Sequence, residues 1–285
     1  MSSILLTGAS GNVGREVAAY LQEHNVAFRV TTHRPADAGA HKVYFDFEKP
    51  ETFLPAFTGI TKLFLIRPPQ IADAKKVFLP LLEAAKEAGI QHIVFLSLMG
   101  VEKNKVVPHA KIEEYIIASG IPYTMLRPSF FMQNLFTQHA KELYQEHCIY
   151  VPAGKGKTSF IDVRDIGAVG AISLMDDRHQ NKAYTLTGSE ALDYYQVARI
   201  FTEELGYPIA YAHPSTIQFF LHERKKGTPL PFILVMSGIY LTAMLGLAAG
   251  ITPTVAELLG RPPLTVKDFA HHYRAQLMGT TGATL

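Results

Sequence analysis

Short apolar runs alternate with helix-patterned stretches along the first half of this chain, and several of the runs are apolar on both faces. ILLT precedes a helical pattern over residues 13–24, and FRVTT and KVYF come next. KLFLI leads a helical stretch to about residue 89, HIVFLSL leads one over 111–119, and PYTML follows. A strand such as HIVFL shows no polar/apolar alternation, so neither face is meant for water and helices must cover both. Strands alternating with helices then imply a parallel, doubly wound sheet with right-handed crossovers. Gly14, Val17, Ala18 and Leu21 recur at i, i+3, i+4, i+7 in the first helix; Val77, Leu81, Ala84, Ala85 and Ala88 mark one face of a later one, which Pro80 should kink. Gly89 and Gly120 stand where helix C-caps are expected.

Beyond about residue 151 the pattern loosens. FIDVRDIGAVGAISL reads as a strand leading into a helix, AYTLTG as a strand, residues 194–205 as another helix, and the terminal GTTGATL as a disordered tail. The chain has 285 residues, which suits one large domain with a smaller appendage. The expected division is a nucleotide-binding domain over 1–150 and a smaller, mostly helical domain over 151–285, with a strand near 184–187 returning to the main sheet.

Gly8, Gly11 and Gly14 form G-x-x-G-x-x-G in TGASGNVGRE, between the first strand and the first helix. The first glycine permits a tight turn, the second lets backbone approach a pyrophosphate, and the third lets helix pack close to strand. The helix N-terminus then offers free N–H groups and a positive dipole end to phosphate. The fold class this supports is α/β of the Rossmann type. At the end of the second strand an acid would bind an NAD ribose, but the sequence there is TTHRP, with Arg34 and no acid. A guanidinium pairs with a 2′-phosphate that a carboxylate would repel, so NADP(H) is the expected cofactor.

A formal charge of +2, from 27 basic and 25 acidic residues, gives no reason to expect nucleic-acid binding. A small molecule is the expected partner, bound by a monomer or homodimer. Cys148 is the sole cysteine, which excludes an intramolecular disulfide, and no signal-peptide pattern precedes the first strand; a cytoplasmic location is expected. Residues 227–256 carry no charge and include LPFILVMSGIYLTAMLGLAAG. Length alone would permit a membrane span, but Pro231, Gly238, Gly246 and Gly250 interrupt it. A buried or pocket-lining helix is expected instead, with peripheral membrane contact left open.

Together TGASGNVG, the lone Arg34, YFDFEKPETFLPAFTG, RPPQ and SGIPYTMLRPSFFMQNL resemble the NmrA-like branch of atypical short-chain dehydrogenases/reductases, which includes quinone, triphenylmethane-dye and azo reductases and NADP-sensing regulators. The resemblance covers about residues 4–191, and more loosely GRPPLTVKDFAHHY. It implies that Gly8, Ser10, Gly11, Asn12, Val13 and Gly14 hold the pyrophosphate, Arg34 the 2′-phosphate, and Asp46 and Phe47 the adenine. Arg67 and Pro68, with Ser97 and Leu98, would line the nicotinamide ribose, and Pro128, Ser129 and Phe130 would face the nicotinamide. Phe130 and Phe131 would stack a flat, hydrophobic acceptor, with the uncharged segment closing an apolar pocket.

The wider superfamily uses Ser with Tyr-x-x-x-Lys as a proton relay. None of the 13 tyrosines here has lysine four residues on. Ser97 could take the serine position, and VVPHAKIEEYI places His109 and Glu113 where tyrosine and lysine should stand. His109 is therefore the candidate proton donor beside Ser97, against the plainer reading of a helix-start histidine. Glu113 is read as a helix-surface carboxylate or as a partner orienting His109. His271 and His272 diverge on a helix, so no metal is expected. Ketone reduction forms an alkoxide and suffers without an acid, whereas a quinone or cationic dye delocalises the incoming charge. The leading expectation is an NADPH-dependent reductase of such acceptors; the alternatives are a non-catalytic NADP(H) sensor and a biosynthetic C=C or C=N reductase.

Overall fold

The computed structural model describes residues 4–71 and 73–278; the expected disorder of GTTGATL at 279–285 lies outside the described residues. By its contacts the chain forms two compact units, residues 1–128 with 163–186, and residues 129–162 with 187–285. The single cut expected at residue 150 is thus replaced by a chain that leaves the first unit after Pro128, returns at Val163, and leaves again after Leu186.

The first unit is built on strands β1 (Ile4–Leu6), β2 (Phe28–Thr32), β3 (Lys42–Tyr44), β4 (Lys62–Ile66), β5 (His92–Leu96) and β6 (Tyr123–Pro128), completed by the strand Lys182–Leu186. Their order is Lys182–Leu186, β6, β5, β4, β1, β2, β3, and every pairing is parallel. The strand expected in AYTLTG forms as Lys182–Leu186 and pairs with β6 at the edge of the main sheet. Helices α1 (Asn12–Glu23), α2 (Phe53–Phe57), α3 (Ala74–Glu87) and α4 (Pro108–Ser119) supply the crossovers, and α3 runs through Pro80. Leu5, Leu63, Leu65, Ile93 and Phe95 are fully buried with Phe53, Phe57, Phe78 and Ile112, which explains why these strands read as unbroken apolar runs.

Helix Val163–Met175 packs against α1 through small residues. A Cβ on Gly167 would lie 2.3 Å from Glu16 Cβ, and one on Gly170 would lie 3.0 Å from the Phe64 ring. The GAVGA run that lengthened the helical pattern is therefore a packing requirement, letting the two helices approach until their backbones nearly touch.

In the second unit, Phe160, Tyr194, Phe201, Phe219, Tyr240 and Phe269 fill a separate core. Its helix Tyr194–Leu205 is opened by a capping box between Asp193 and Gln196 and closed by Gly206 in the left-handed region. The uncharged segment holds the 15-residue helix Leu230–Met244, and no described helix is long and apolar enough to cross a membrane. The expectation of a buried helix holds for one face only: Ile233, Met236, Tyr240 and Ala243 face the core, whereas Leu234, Val235, Leu241 and Leu245 are exposed.

Two glycines test this account in opposite directions. Gly167→Ala is expected to destabilise by roughly 1–3 kcal/mol through overpacking, lowering the melting temperature. Gly238→Ala, inside the helix Leu230–Met244 with nothing within 4 Å of the new Cβ, should stabilise by about 0.5–1 kcal/mol. Thermal denaturation of both variants checks the pair.

Candidate functional site

In a doubly wound sheet, ligands bind at the carboxyl ends of the strands where the chain reverses direction across the sheet. Here β1 is flanked by β2 and β4, so the reversal falls at the end of β1. Thr7 fastens that point: its N–H and Oγ1 both donate to the Phe64 carbonyl, at 2.9 and 3.0 Å, and Oγ1 accepts from the Ile66 N–H at 2.9 Å.

The glycine loop leaves Thr7 through Gly8, whose φ of +65° favours glycine, and the Gly11 N–H donates to the Gly8 carbonyl at 3.0 Å. A Cβ on Gly14 would lie 2.2 Å from the same carbonyl oxygen, so α1 reaches the loop only because residue 14 has no side chain. Helix α1 has no side chain capping its N-terminus and no acid in its first turn. Ser10, Gly11 and Asn12 are exposed there, while Val13 and Gly14 are buried against the sheet. Uncapped N–H groups, a positive helix end and a backbone without Cβ obstruction fit a pyrophosphate.

The neighbouring strand ends carry the other expected contacts. Arg34, just beyond β2, is exposed and makes no ion pair among the described residues; its backbone N–H donates to Thr32 Oγ1 at 3.2 Å. Asp46, beyond β3, uses Oδ1 to accept the Glu48 N–H at 3.0 Å, which turns the chain so that Phe47 packs edge-on to Phe45, with ring centroids 4.8 Å apart. Arg67, beyond β4, donates from Nε to the Ile71 carbonyl at 3.1 Å and from Nη2 to the Pro69 carbonyl at 3.3 Å, so its guanidinium also shapes the RPPQI loop that holds Pro68. Burial lowers its pKa.

Beyond β5, Ser97 is 4% exposed and its hydroxyl has no hydrogen-bond partner among the described residues, although its N–H donates to the Leu126 carbonyl at 2.8 Å. A buried hydroxyl left without a partner costs on the order of 1–3 kcal/mol, so this atom is suited to a ligand group. Leu98 follows it, half-buried, and the Met99 N–H donates to the carbonyl of Pro128, which ends β6.

His109, in the first turn of α4, lies with its ring centroid 6.1 Å from that of Phe95. Burial, reinforced by the nearby Arg67 charge, pushes its pKa down to about 4. The imidazole is neutral at pH 7. Glu113 does not orient it and is not on the surface: it is 5% exposed and accepts from Arg127 Nε at 3.0 Å and Nη2 at 2.6 Å. Arg127 also lies 3.7 Å from Glu102. Arg127 had no reading as a site residue, because nothing in the spacing of LRP and IEE joins a strand residue to a helix residue 14 positions earlier.

In the second unit, Ser129 also has a buried hydroxyl without a partner among the described residues. Phe130 and Phe131 form a short strand beside Phe160 and Ile161. The Phe130 ring meets Phe160 edge-on at 5.7 Å and Tyr240 at 6.2 Å, so the residue expected to face the nicotinamide rests on the aromatic core of its own unit. Glu142, His222 and Glu223 present ligand-type atoms within 4.8 Å of one another, but Lys226 already supplies the positive charge, donating to Glu142 at 2.7 Å and Glu223 at 3.1 Å. Burial would raise the Glu142 pKa, yet hydrogen bonds from Lys226 and His222 outweigh it and hold the carboxyl at about 2.

Burial also holds His92 and His139 at about 4. Thr124 Oγ1 donates to the His179 carbonyl at 2.7 Å, so it accepts from Nε2–H of a neutral His92, at 2.9 Å. His139 Nε2 pairs with the Tyr240 hydroxyl at 2.5 Å. Three histidines whose folded pKa lies below the ordinary 6.5 take up protons on unfolding between about pH 6.5 and 4. Their contribution to stability is therefore complete above pH 6.5 and lost as the pH falls toward 4; the melting temperature should drop across that window, and His92→Gln should flatten the slope.

The chain matches the NmrA-like family over residues 1–242. It is 31% identical over 282 residues to the NAD(P)H azoreductase of Xenophilus azovorans, covering 95% of this chain and 98% of that one. Among solved structures, the Escherichia coli NADPH-dependent quinone oxidoreductase complexed with NADPH superposes with a TM-score of 0.85 at 24% identity, over 94% of this chain and 99% of that one. The Citrobacter sp. triphenylmethane reductase complexed with NADP(H) does so with a TM-score of 0.82 at 23% identity, over 95% and 99%. The glycine cradle, the parallel sheet and the family match agree, and the chain belongs to the NmrA-like family.

Proposed function

We propose that this chain is an NADPH-dependent oxidoreductase that transfers hydride directly to a flat, hydrophobic acceptor, quinone-like or dye-like, without a tyrosine–lysine relay. The observation that carries this reading is His109: it stands where a relay would, yet it is desolvated against Phe95, neutral, and without the carboxylate of Glu113, which Arg127 holds. Burial and the Arg67 charge push its pKa down to about 4, so the ring is neutral at pH 7 and is not held ready as an imidazolium acid.

Bound NADPH would supply the hydride. Gly8, Ser10, Gly11, Asn12, Val13 and Gly14 would hold its pyrophosphate through backbone N–H groups, and Arg34 would pair with the 2′-phosphate. Asp46 and Phe47 would flank the adenine. Arg67, Pro68, Ser97 and Leu98 would line the ribose next to the nicotinamide, with the unpartnered Ser97 hydroxyl as the hydrogen-bonding group. Pro128, Ser129 and Phe130 would face the nicotinamide, and Phe130 and Phe131 would take the acceptor ring. A quinone that accepts a hydride becomes a delocalised hydroquinone anion, which water protonates; a cationic dye becomes neutral and needs no proton. Either reaction asks the protein for proximity and orientation. The names of the azoreductase, quinone oxidoreductase and triphenylmethane reductase support this acceptor class.

NADPH oxidation across a panel of quinones and cationic dyes tests the proposal, with turnover expected for several acceptors and negligible reduction of simple ketones. His109→Gln should keep kcat within about 3-fold of wild type, with a flat profile between pH 6 and 8; a loss of ~100-fold would make His109 the proton donor. Arg34→Glu should raise the KM for NADPH by roughly 10- to 100-fold, since it removes a charge-assisted pair and adds repulsion, and should leave NADH nearly unaffected. NADPH bound without turnover of any acceptor would favour a sensor.

A further inference from the structure

The uncharged segment leaves a surface that hydride transfer does not explain. Helix Leu230–Met244 buries a narrow face, Ile233, Met236, Tyr240 and Ala243, in the second unit. Its opposite face carries Leu234 at 58%, Val235 at 59% and, one residue past the helix end, Leu245 at 62% exposure, with Leu230, Leu241 and Leu247 also exposed. A surface helix in water ordinarily sets charged residues opposite its buried stripe. Here residues 227–256 hold none, and the outer face is mostly apolar, with the exposed Thr242 turning its hydroxyl back to the Ile239 carbonyl at 2.7 Å.

Charge is placed at the two ends of this strip instead. Arg224 and Lys225 precede it, exposed and without an ion pair among the described residues. At the other end the loop Ala153–Lys157 runs against the helix: a Cβ on Gly156 would lie 2.1 Å from the Ala243 carbonyl oxygen, and one on Gly154 would lie 3.6 Å from Met244 Cγ. That contact sets Lys155 and Lys157, both exposed, beside the C-terminal end of the helix. The neighbouring helix Thr216–Lys225 adds Ile217 and Leu221, four residues apart on one face and exposed. The result is an apolar strip bracketed by cations.

We propose that this strip is a membrane-contact surface that lies in the interfacial layer of an anionic bilayer. Leu234, Val235, Leu241 and Leu245 enter the boundary between headgroups and acyl chains, and Arg224, Lys225, Lys155 and Lys157 meet lipid phosphates. The helix lies along the surface and does not span, in keeping with its 15 residues. The same charges disfavour a second copy as the occupant. Two-fold pairing of the strip in antiparallel sense sets Arg224 and Lys225 of one copy against Lys155 and Lys157 of the other, and parallel pairing sets each pair against itself. Like charges meet in both cases. The proposal concerns the second unit's surface and stands apart from the acceptor chemistry above.

Vesicle flotation of the full chain decides it, with phosphatidylcholine vesicles containing about 30% phosphatidylglycerol compared with phosphatidylcholine alone in ~0.1 M salt. Wild type is expected to float with the anionic vesicles and to be largely released by ~1 M salt. Leu234→Asp with Val235→Asp, and separately Lys155→Glu with Lys157→Glu, should each cut the bound fraction at least about 10-fold while the melting temperature stays within ~3 °C, as expected for exposed positions. Wild type that stays in the aqueous phase, variants that float like wild type, or a wild-type dimer that the Leu234/Val235 change converts to monomer would each overturn the proposal.

Discussion

The first unit depends on one close approach between backbones. Gly14 of α1 sits against the carbonyl of Gly8, at a distance where a Cβ would come within 2.2 Å of oxygen. That contact aims the uncapped N-terminus of α1 along the carboxyl edge of the sheet, at the point where β1 lies between strands that the chain builds in opposite directions. Thr7 fastens the same point to β4 through three hydrogen bonds. Behind it, Gly167 and Gly170 bring a second helix onto α1 at similarly short range. The position and direction of the α1 N-terminus both come from backbone contacts that side chains would prevent, the fixed geometry that the proposed pyrophosphate site requires.

The titratable groups around the site follow from desolvation more than from pairing. His109 is held neutral because Phe95 and the surrounding packing exclude water and Arg67 is nearby. Glu113, four residues on, stays paired because Arg127 offers two parallel N–H donors to its carboxylate. The two residues that stand at the relay positions are therefore separated in function: one is an uncharged ring, the other half of a buried ion pair. Breaking that pair would leave an uncompensated charge in a partly buried place.

Much of this was legible in the chain itself. The doubly wound sheet followed from strands apolar on both faces, and the tight turn from β1 into α1 from three glycines between a strand and a helix, since both are local patterns. Arg34 was legible because its position after β2 is set by chain length alone. The environment of His109 was not, because Phe95 arrives from β5 and Arg67 from the loop after β4, 14 and 42 positions away. Nor was the pairing of Glu113, or the way residues 129–162 leave the first unit and the chain re-enters it at Val163.

Residues 227–256 show where the boundary lies. Their sequence determined that no charge would be placed along a helix of this length, and it left open which face would be buried, since a period of 3.6 is hard to read when apolar residues fall on every side of the helix. The tertiary structure decided that: core packing takes Ile233, Met236, Tyr240 and Ala243, and Gly156 brings Lys155 and Lys157 to the far end of the strip. Sequence alone determines backbone geometry and local pattern, because glycine, proline and periodicity act on neighbouring residues. Burial, protonation state and the pairing of distant charges belong to the tertiary structure, because they depend on which remote groups displace water.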